Sequence, residues 1–225
     1  MNFPGHRGHI ACIVPLPACP ALGRDRGREA GSSPTRRGLW GTCRSTREIK
    51  TPLYVKDVRV RTKSSHETVD LGKKIGRLLG PGDVVALVGE LGTGKTHLIK
   101  GLAAGAGVIR FSYVSSPSFT LIHEYPGKLA VTHVDLFRLR TEREAEDLGL
   151  EEHFQGRGIT VIEWADKIPS LLPQDVLWIH LSHTGERTRS IEIFGKGCRY
   201  GEMVDNLCKL LKNKVPKNLR APKDQ

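Results

Sequence analysis

One octapeptide constrains this chain more than any other feature: Gly89-Glu90-Leu91-Gly92-Thr93-Gly94-Lys95-Thr96. It fits G-x-x-x-x-G-K-[ST], a pattern that chance would produce about 0.02 times in a chain of this composition. Its setting matters as much as its letters. Val84–Val88, directly before it, is a short unbroken apolar run, as expected of a parallel strand buried on both faces. Residues 95–105, directly after it, read as a helix. Strand, glycine loop and helix in that order make a phosphate cradle. Glycine lets backbone turn and approach a ligand where a Cβ would stand in the way. The successive N–H groups then face an anion at a helix N-terminus, where the dipole favours negative charge. Lys95 supplies a point charge for the β- and γ-phosphates, and Thr96 a hydroxyl for Mg²⁺. ATP with Mg²⁺ is the ligand this predicts. The expected contacts run through Gly89, Glu90, Leu91, Gly92, Thr93, Gly94, Lys95 and Thr96 to His97.

The remaining pattern fits the same architecture. Residues 57–62 alternate and read as a strand. Ser64 or Ser65 can cap a helix over 67–79, with Leu71, Ile75, Leu78 and Leu79 on one face, and Gly80-Pro81-Gly82 stops it. Further strands are predicted at 119–125, 129–135, 159–164, 176–181 and 189–194. A polar helix is predicted at 142–148 and a last one at 200–211. Strands alternating with helices imply an α/β fold of the P-loop NTPase type, a mainly parallel sheet with helices on both faces.

A phosphate loop that handles Mg²⁺ needs a carboxylate, usually at the end of a neighbouring apolar strand. Two stand in that position, Asp135 and Glu163. Mg²⁺ keeps several waters, so one can bind directly and the other through water, and the residues do not say which. Each alone also reads as an ordinary strand-end charge. Ser115-Ser116-Pro117-Ser118-Phe119-Thr120 is a hydroxyl-rich loop able to close on a γ-phosphate. On spacing alone it reads as a common turn, with Pro fixing φ and Ser capping backbone. Trp164 follows Glu163 and reads as packing. His123 and His133 lack ligand-like spacing and read as structural or surface residues.

Taken together, these segments resemble the TsaE family, the ATPase of bacterial tRNA threonylcarbamoyladenosine synthesis. The matching pieces are residues 89–96, Ser116-Pro117-Ser118-Phe119-Thr120-Leu121, His133-Val134-Asp135-Leu136-Phe137-Arg138-Leu139, Asp147-Leu148-Gly149 and Ile162-Glu163-Trp164-Ala165. Thr68-Val69-Asp70-Leu71-Gly72 also fits. The resemblance spans roughly 60–195, in order, which is far more specific than a phosphate loop alone. It implies that Thr96 and Glu163 bind Mg²⁺, with Asp135 beside the metal, and that Lys95 holds the phosphates. Ser116, Ser118 and Thr120 would belong to a first switch and residues 135–138 to a second. Trp164 would support the active-site wall and partner-dependent activity, making Lys95, Asp135, Glu163 and Trp164 the catalytic set. Adenine would lie near Glu67 and Thr68. The implied partners are a TsaB-like protein and the TsaD-like metalloprotein that modifies the adenosine next to the tRNA anticodon. ATP hydrolysis would reset that complex.

Charge bears on the tails. The net charge is +11. Residues 1–50 hold 9 Lys and Arg against 3 Asp and Glu, and residues 209–225 hold 6 against 1, leaving 20 against 20 in 51–208. The folded part therefore has no basic bias. This divides the chain into a basic, disordered extension over 1–53, an ATPase domain over 54–208 and a basic, disordered tail over 209–225. Weak tRNA contact through such tails would be salt-sensitive. Residues 1–50 are Arg-rich and acid-poor like an organellar transit peptide, yet show no clear amphipathic helix. The five cysteines show no C-x-x-C spacing, which fits a reducing, cytoplasmic setting without disulfides or zinc. No stretch is apolar enough to span a membrane. Two other functions share the phosphate loop. A small-molecule kinase would need an Arg-rich lid, and only Arg138, Arg140 and Arg143 approach one. A non-catalytic switch would bind ATP only to remodel a surface.

Overall fold

The computed structural model describes residues 55–212. Its elements are β1 (Val55–Thr62), α1 (Ser65–Gly76), β2 (Val84–Val88), α2 (Lys95–Ala106), β3 (Ile122–Tyr125), β4 (Val131–Asp135), α3 (Glu142–Glu146), α4 (Leu150–Phe154), β5 (Ile159–Glu163), β6 (Leu177–His183), β7 (Arg189–Lys196) and α5 (Cys198–Lys212). Three-residue turns of 3₁₀ helix lie at Phe111–Tyr113 and Ala165–Lys167. The seven strands form one sheet in the order β1-β7-β6-β2-β5-β4-β3.

The expected α/β architecture stands, with a parallel centre and antiparallel flanks. β6, β2, β5 and β4 run parallel, while β3, β7 and β1 add antiparallel edges. The central strands are the continuous apolar runs, because both of their faces are covered. β5 and β4 are buried at every position, including His133, Asp135 and Glu163. One face carries α1, α2 and α5 over Val85, Leu87, Val161 and Ile179. The other face is covered more thinly, by short helices and loops that bring Ala145, Leu150 and Ile168 onto Ala86 and Ile162.

Local chemistry sets the boundaries. Ser64 caps α1 by accepting from the Glu67 N–H at 3.2 Å, and the Glu67 carboxylate accepts from the Lys63 N–H at 2.7 Å. α1 ends at Gly76 rather than at 79, and Leu78 and Leu79 pack from the turn that follows. The strand predicted at 119–125 begins only at Ile122, because residues 117–121 close a turn in which the Leu121 N–H donates to the Pro117 carbonyl at 2.7 Å. The helix predicted at 142–148 stops at Glu146, and α4 follows after Gly149 turns left-handed at φ 61°. α5 runs past the boundary expected at 208 to Lys212, with Leu211 packed on the core. Tyr200 docks α5 on β2: its hydroxyl accepts from the Val84 N–H at 2.8 Å and donates to the Val84 carbonyl at 3.2 Å. Burial raises its pKa well above the ordinary range. The basic extension and most of the basic C-terminal tail lie outside the described residues, with the tRNA contact expected of them. Among the described residues, no helix is long and apolar enough to cross a membrane.

Candidate active site

The sheet's parallel centre places the site. β2 delivers the glycine loop, β5 ends in Glu163 beside it, and β4 ends in Asp135 one strand further, paired in register with Glu163. All three strands point their C-terminal ends at one crevice, where an open α/β sheet binds ligands. A cleft of about 500 Å³ opens there, lined by the loop, the serine segment 116–119 and the ends of β4 and β5.

Sequence dictates the loop's path. Gly94, the N-cap of α2, sits at φ 97°, a left-handed angle that a side chain would strain. A Cβ on Gly89 would collide with the Leu181 carbonyl of β6. The Thr93 hydroxyl donates to the Glu90 carbonyl at 2.9 Å, closing the loop on itself. Arg189 from β7 donates its Nε–H to the Thr93 carbonyl at 3.1 Å. Lys95 is 5% exposed, and its ammonium donates to the carbonyls of Gly89 and Glu90 at 2.7 and 3.0 Å. The same ammonium lies 4.0 Å from the centre of the Trp164 ring. Desolvation lowers the Lys95 pKa, and the charges of Glu163, Asp135 and Asp166 pull the other way. Desolvation also lowers His97, helped by Lys100 and Arg189.

The two carboxylates have different partners. Glu163 Oε1 accepts from the Thr96 hydroxyl at 3.3 Å and lies 3.0 Å from His133 Nε2. Asp135 Oδ2 accepts from the hydroxyls of Ser116 and, at 2.7 Å, Ser118, while Oδ1 accepts from the Phe137 N–H at 2.9 Å. Glu163 therefore belongs to the glycine-loop side, and Asp135 ties down the serine segment. Thr96 with Glu163 is an all-oxygen pair beside a buried lysine, a donor set that fits a hard cation such as Mg²⁺. Trp164 and Leu121 are the non-glycine residues with positive φ among those described, at 62° and 64°; Trp164 lines this cleft, and the Leu121 carbonyl accepts from the Asp135 N–H at 2.9 Å. Such angles cost on the order of 1–3 kcal/mol and persist where the surroundings enforce them.

The family model for the threonylcarbamoyl adenosine biosynthesis protein TsaE matches residues 62–191, more than half of the chain. The chain belongs to the TsaE family. The tRNA threonylcarbamoyladenosine biosynthesis protein TsaE of Bacillus subtilis (strain 168) is 41% identical over 154 residues, spanning 68% of this chain and 95% of that protein. The protein of the same name from Treponema pallidum (strain Nichols) is 38% identical over 136 residues, 60% of this chain and 99% of the relative. The crystal structure of Bacillus subtilis YdiB superposes with a TM-score of 0.59 at 34% identity, covering 70% of this chain and 97% of that one.

In this TsaE chain the cleft gathers Leu91, Gly92, Gly94, Lys95, Thr96, His97, Ser116, Ser118, Asp135, Glu163 and Trp164 along its lining. Gly89, Glu90 and Thr93, also in the loop, are not on the lining. Thr120 is exposed and lies off the lining. Glu67 and Thr68 are also not on the lining. Thr68 is fully buried; its hydroxyl donates to the Ser64 carbonyl at 3.1 Å and lies 3.0 Å from that of Thr62, and Glu67 serves the cap of α1. His133, read from sequence as structural or surface, is fully buried against Glu163. Strand alternation holds the missed signal: His133 stands two residues before Asp135, hence on the same face of β4.

Proposed function

We propose that this chain is a Mg²⁺-dependent ATPase that supports the threonylcarbamoyl modification of the adenosine next to the tRNA anticodon, acting in the cytoplasm with TsaB-like and TsaD-like partners. The pathway is the one named for its relatives. The observation that carries the ATPase reading is the approach of Thr96 and Glu163, 3.3 Å apart at the mouth of a glycine loop with Lys95 buried beside them. Loop N–H groups at the start of α2 would bind the phosphates. Lys95 would exchange its carbonyl partners for phosphate oxygens, a stronger charge-assisted contact. Thr96 and Glu163 would hold Mg²⁺, which when bound neutralises phosphate charge. His133, donating from Nε2, would keep the Glu163 carboxylate turned toward Thr96. Asp135, held by two serine hydroxyls, would orient the serine segment and the attacking water. Among the described residues, Arg138 is the one arginine on the lining, which supports hydrolysis over a kinase's Arg-rich lid. Hydrolysis would reset the partner complex between turnovers.

The test is phosphate release from Mg-ATP by the full chain with its TsaB-like and TsaD-like partners. Glu163→Gln keeps the shape and removes the charge, so hydrolysis should fall about tenfold or more while ATP affinity moves far less. Wild-type turnover in the variant would refute the metal assignment. Binding without phosphate release by the wild-type complex would favour the non-catalytic switch.

A further inference from the structure

Lys167 closes the 3₁₀ turn that follows Glu163 and Trp164. Its ammonium donates to the carbonyls of Leu136, Phe137 and Leu139 at 3.0, 2.6 and 2.8 Å. An ammonium has three N–H donors, and here each has a carbonyl from the same four-residue turn. Other contacts also fix the turn: Leu136 is fully buried in the core with Leu139 packed against that cluster, and the Phe137 N–H donates to Asp135 Oδ1 at 2.9 Å. Its Leu139 N–H donates to the Leu136 carbonyl at 3.1 Å, and the Leu136 N–H to the Glu163 carbonyl at 3.2 Å. Lys167 also stands 5.9 Å from the ring centres of both Phe137 and Trp164, which lie 5.2 Å apart.

What the lysine holds is one side of the cleft. Phe137 and Arg138 line it, and Asp135 immediately precedes the turn. Arg138 in turn lies 4.2 Å from the ring centre of Phe119 in the serine segment. Toward the glycine loop, the Trp164 ring meets the Lys95 ammonium. Lys167 is thus the junction between the residues that follow β5 and those that follow β4.

We propose that Lys167 is a positioning residue, a backbone clamp that fixes the 136–139 turn and with it the placement of Asp135, Phe137 and Arg138 against the glycine loop. The proposal rests on the ATPase reading of the cleft and adds the means by which its second side is set. Charge-assisted bonds to three carbonyls make the turn move as one body, so that any rearrangement of this side on nucleotide turnover pivots on the Lys167 ammonium or releases it. An arginine would fit poorly, because its planar fork cannot aim at three converging carbonyls as a tetrahedral ammonium does.

The experiment compares the full chain with Lys167→Met and Lys167→Arg in two measurements. Amide hydrogen exchange without nucleotide reads the clamp alone. Residues 137–140 should exchange about tenfold faster in Lys167→Met, with β5 unchanged, and Lys167→Arg should fall between. ATP hydrolysis with the TsaB-like and TsaD-like partners reads positioning: kcat should fall about fivefold while KM moves less than about twofold. Unchanged exchange at 137–140 overturns the clamp. Faster exchange with kcat and KM both unchanged makes the lysine merely structural and overturns its positioning role. If β5 also loosens in Lys167→Met, the arginine variant decides by the same criteria. If the wild type fails to bind Mg-ATP, the ATPase reading falls, and the exchange measurement still decides the clamp.

Discussion

Along one side of the cleft, residues 89–96 form a backbone cradle shaped by left-handed glycine angles and by α2 seated on α1, with the Thr93, Lys95 and Arg189 side chains tying its carbonyls. Along the other, residues 116–119 and 136–139 are held by side chains, through Ser116 and Ser118 on Asp135, Arg138 on Phe119 and Lys167 on three carbonyls. A backbone cradle is preorganised and costs little to use. A side-chain network has partners it can exchange, as switching segments require. On the proposed ATPase reading, affinity would reside in the first side and turnover in the second.

The largest effect should come from the first side. Lys95→Ala removes the buried charge from the phosphates, and Mg-ATP affinity should fall about a hundredfold or more, as for loss of one partner of a desolvated charge pair. Asp135→Asn should change affinity by less than about threefold while slowing partner-stimulated hydrolysis about tenfold. Calorimetry on both variants, with phosphate release alongside, makes the contrast. An affinity loss in Asp135→Asn as large as that in Lys95→Ala would erase the division between the two sides.

The same division explains how far the sequence could be read. The glycine loop is local: its eight residues, the run before it and the helix after it determine its path, so the strand–loop–helix setting of Gly89 to Thr96 was legible. Asp135 and Glu163 were legible as strand-end carboxylates, but their separate partners were not. Ser116 and Ser118 reach Asp135 across 17 to 19 positions, and Lys167 reaches Leu136 across 31. No periodicity encodes such contacts; they follow from strand order, which places β4 beside β5. The contact of His133 with Glu163, 30 positions away, was hidden for the same reason, although strand alternation alone sets His133 on the face of Asp135. The fold behaved alike. Continuous apolar runs announced β2 and β5, whereas 119–121 read as strand until the turn bonds of 117–121 appeared, and α4 is too short and polar for a clear 3.6 period.

A smaller effect tests why the first side is rigid. α1 and α2 meet glycine on glycine. A Cβ on Gly101 would stand 2.8 Å from Gly72 Cα and collide with the Val69 carbonyl. Backbone on both sides leaves nothing flexible to give way. Gly101→Ala should destabilise the fold by about 1–3 kcal/mol, as overpacking does, read as a lower midpoint in urea with unchanged slope. Amide protection across α2 should fall with it. Unchanged stability would mean that the two helices can part at little cost, and that the loop's rigidity has another source.

The smallest effect concerns protons. Desolvation holds the Lys95 pKa below the ordinary 10.5 of a lysine, despite the nearby carboxylates. The unfolded chain therefore binds more protons here than the folded one between the lowered value and 10.5, and in that window stability rises with pH. Ligand binding runs the other way. Phosphate charge favours the ammonium, so nucleotide binding should draw a proton onto Lys95 wherever the free protein has lost it. Mg-ATP affinity should fall by a few-fold as pH climbs through the lowered pKa. Two other groups stay silent there. The last phosphate proton leaves at a pKa of about 6, and burial moves His97 down from 6.5, away from the alkaline range. Lys95→Arg gives the control: arginine keeps its charge throughout, so its affinity, whatever its absolute value, should show no such slope. Calorimetric titrations across the alkaline range in buffers of different ionisation enthalpy would report both the slope and the proton taken up. Equal slopes for wild type and Lys95→Arg would mean that Lys95 remains an ammonium throughout, its burial fully compensated by Glu163, Asp135 and the two loop carbonyls.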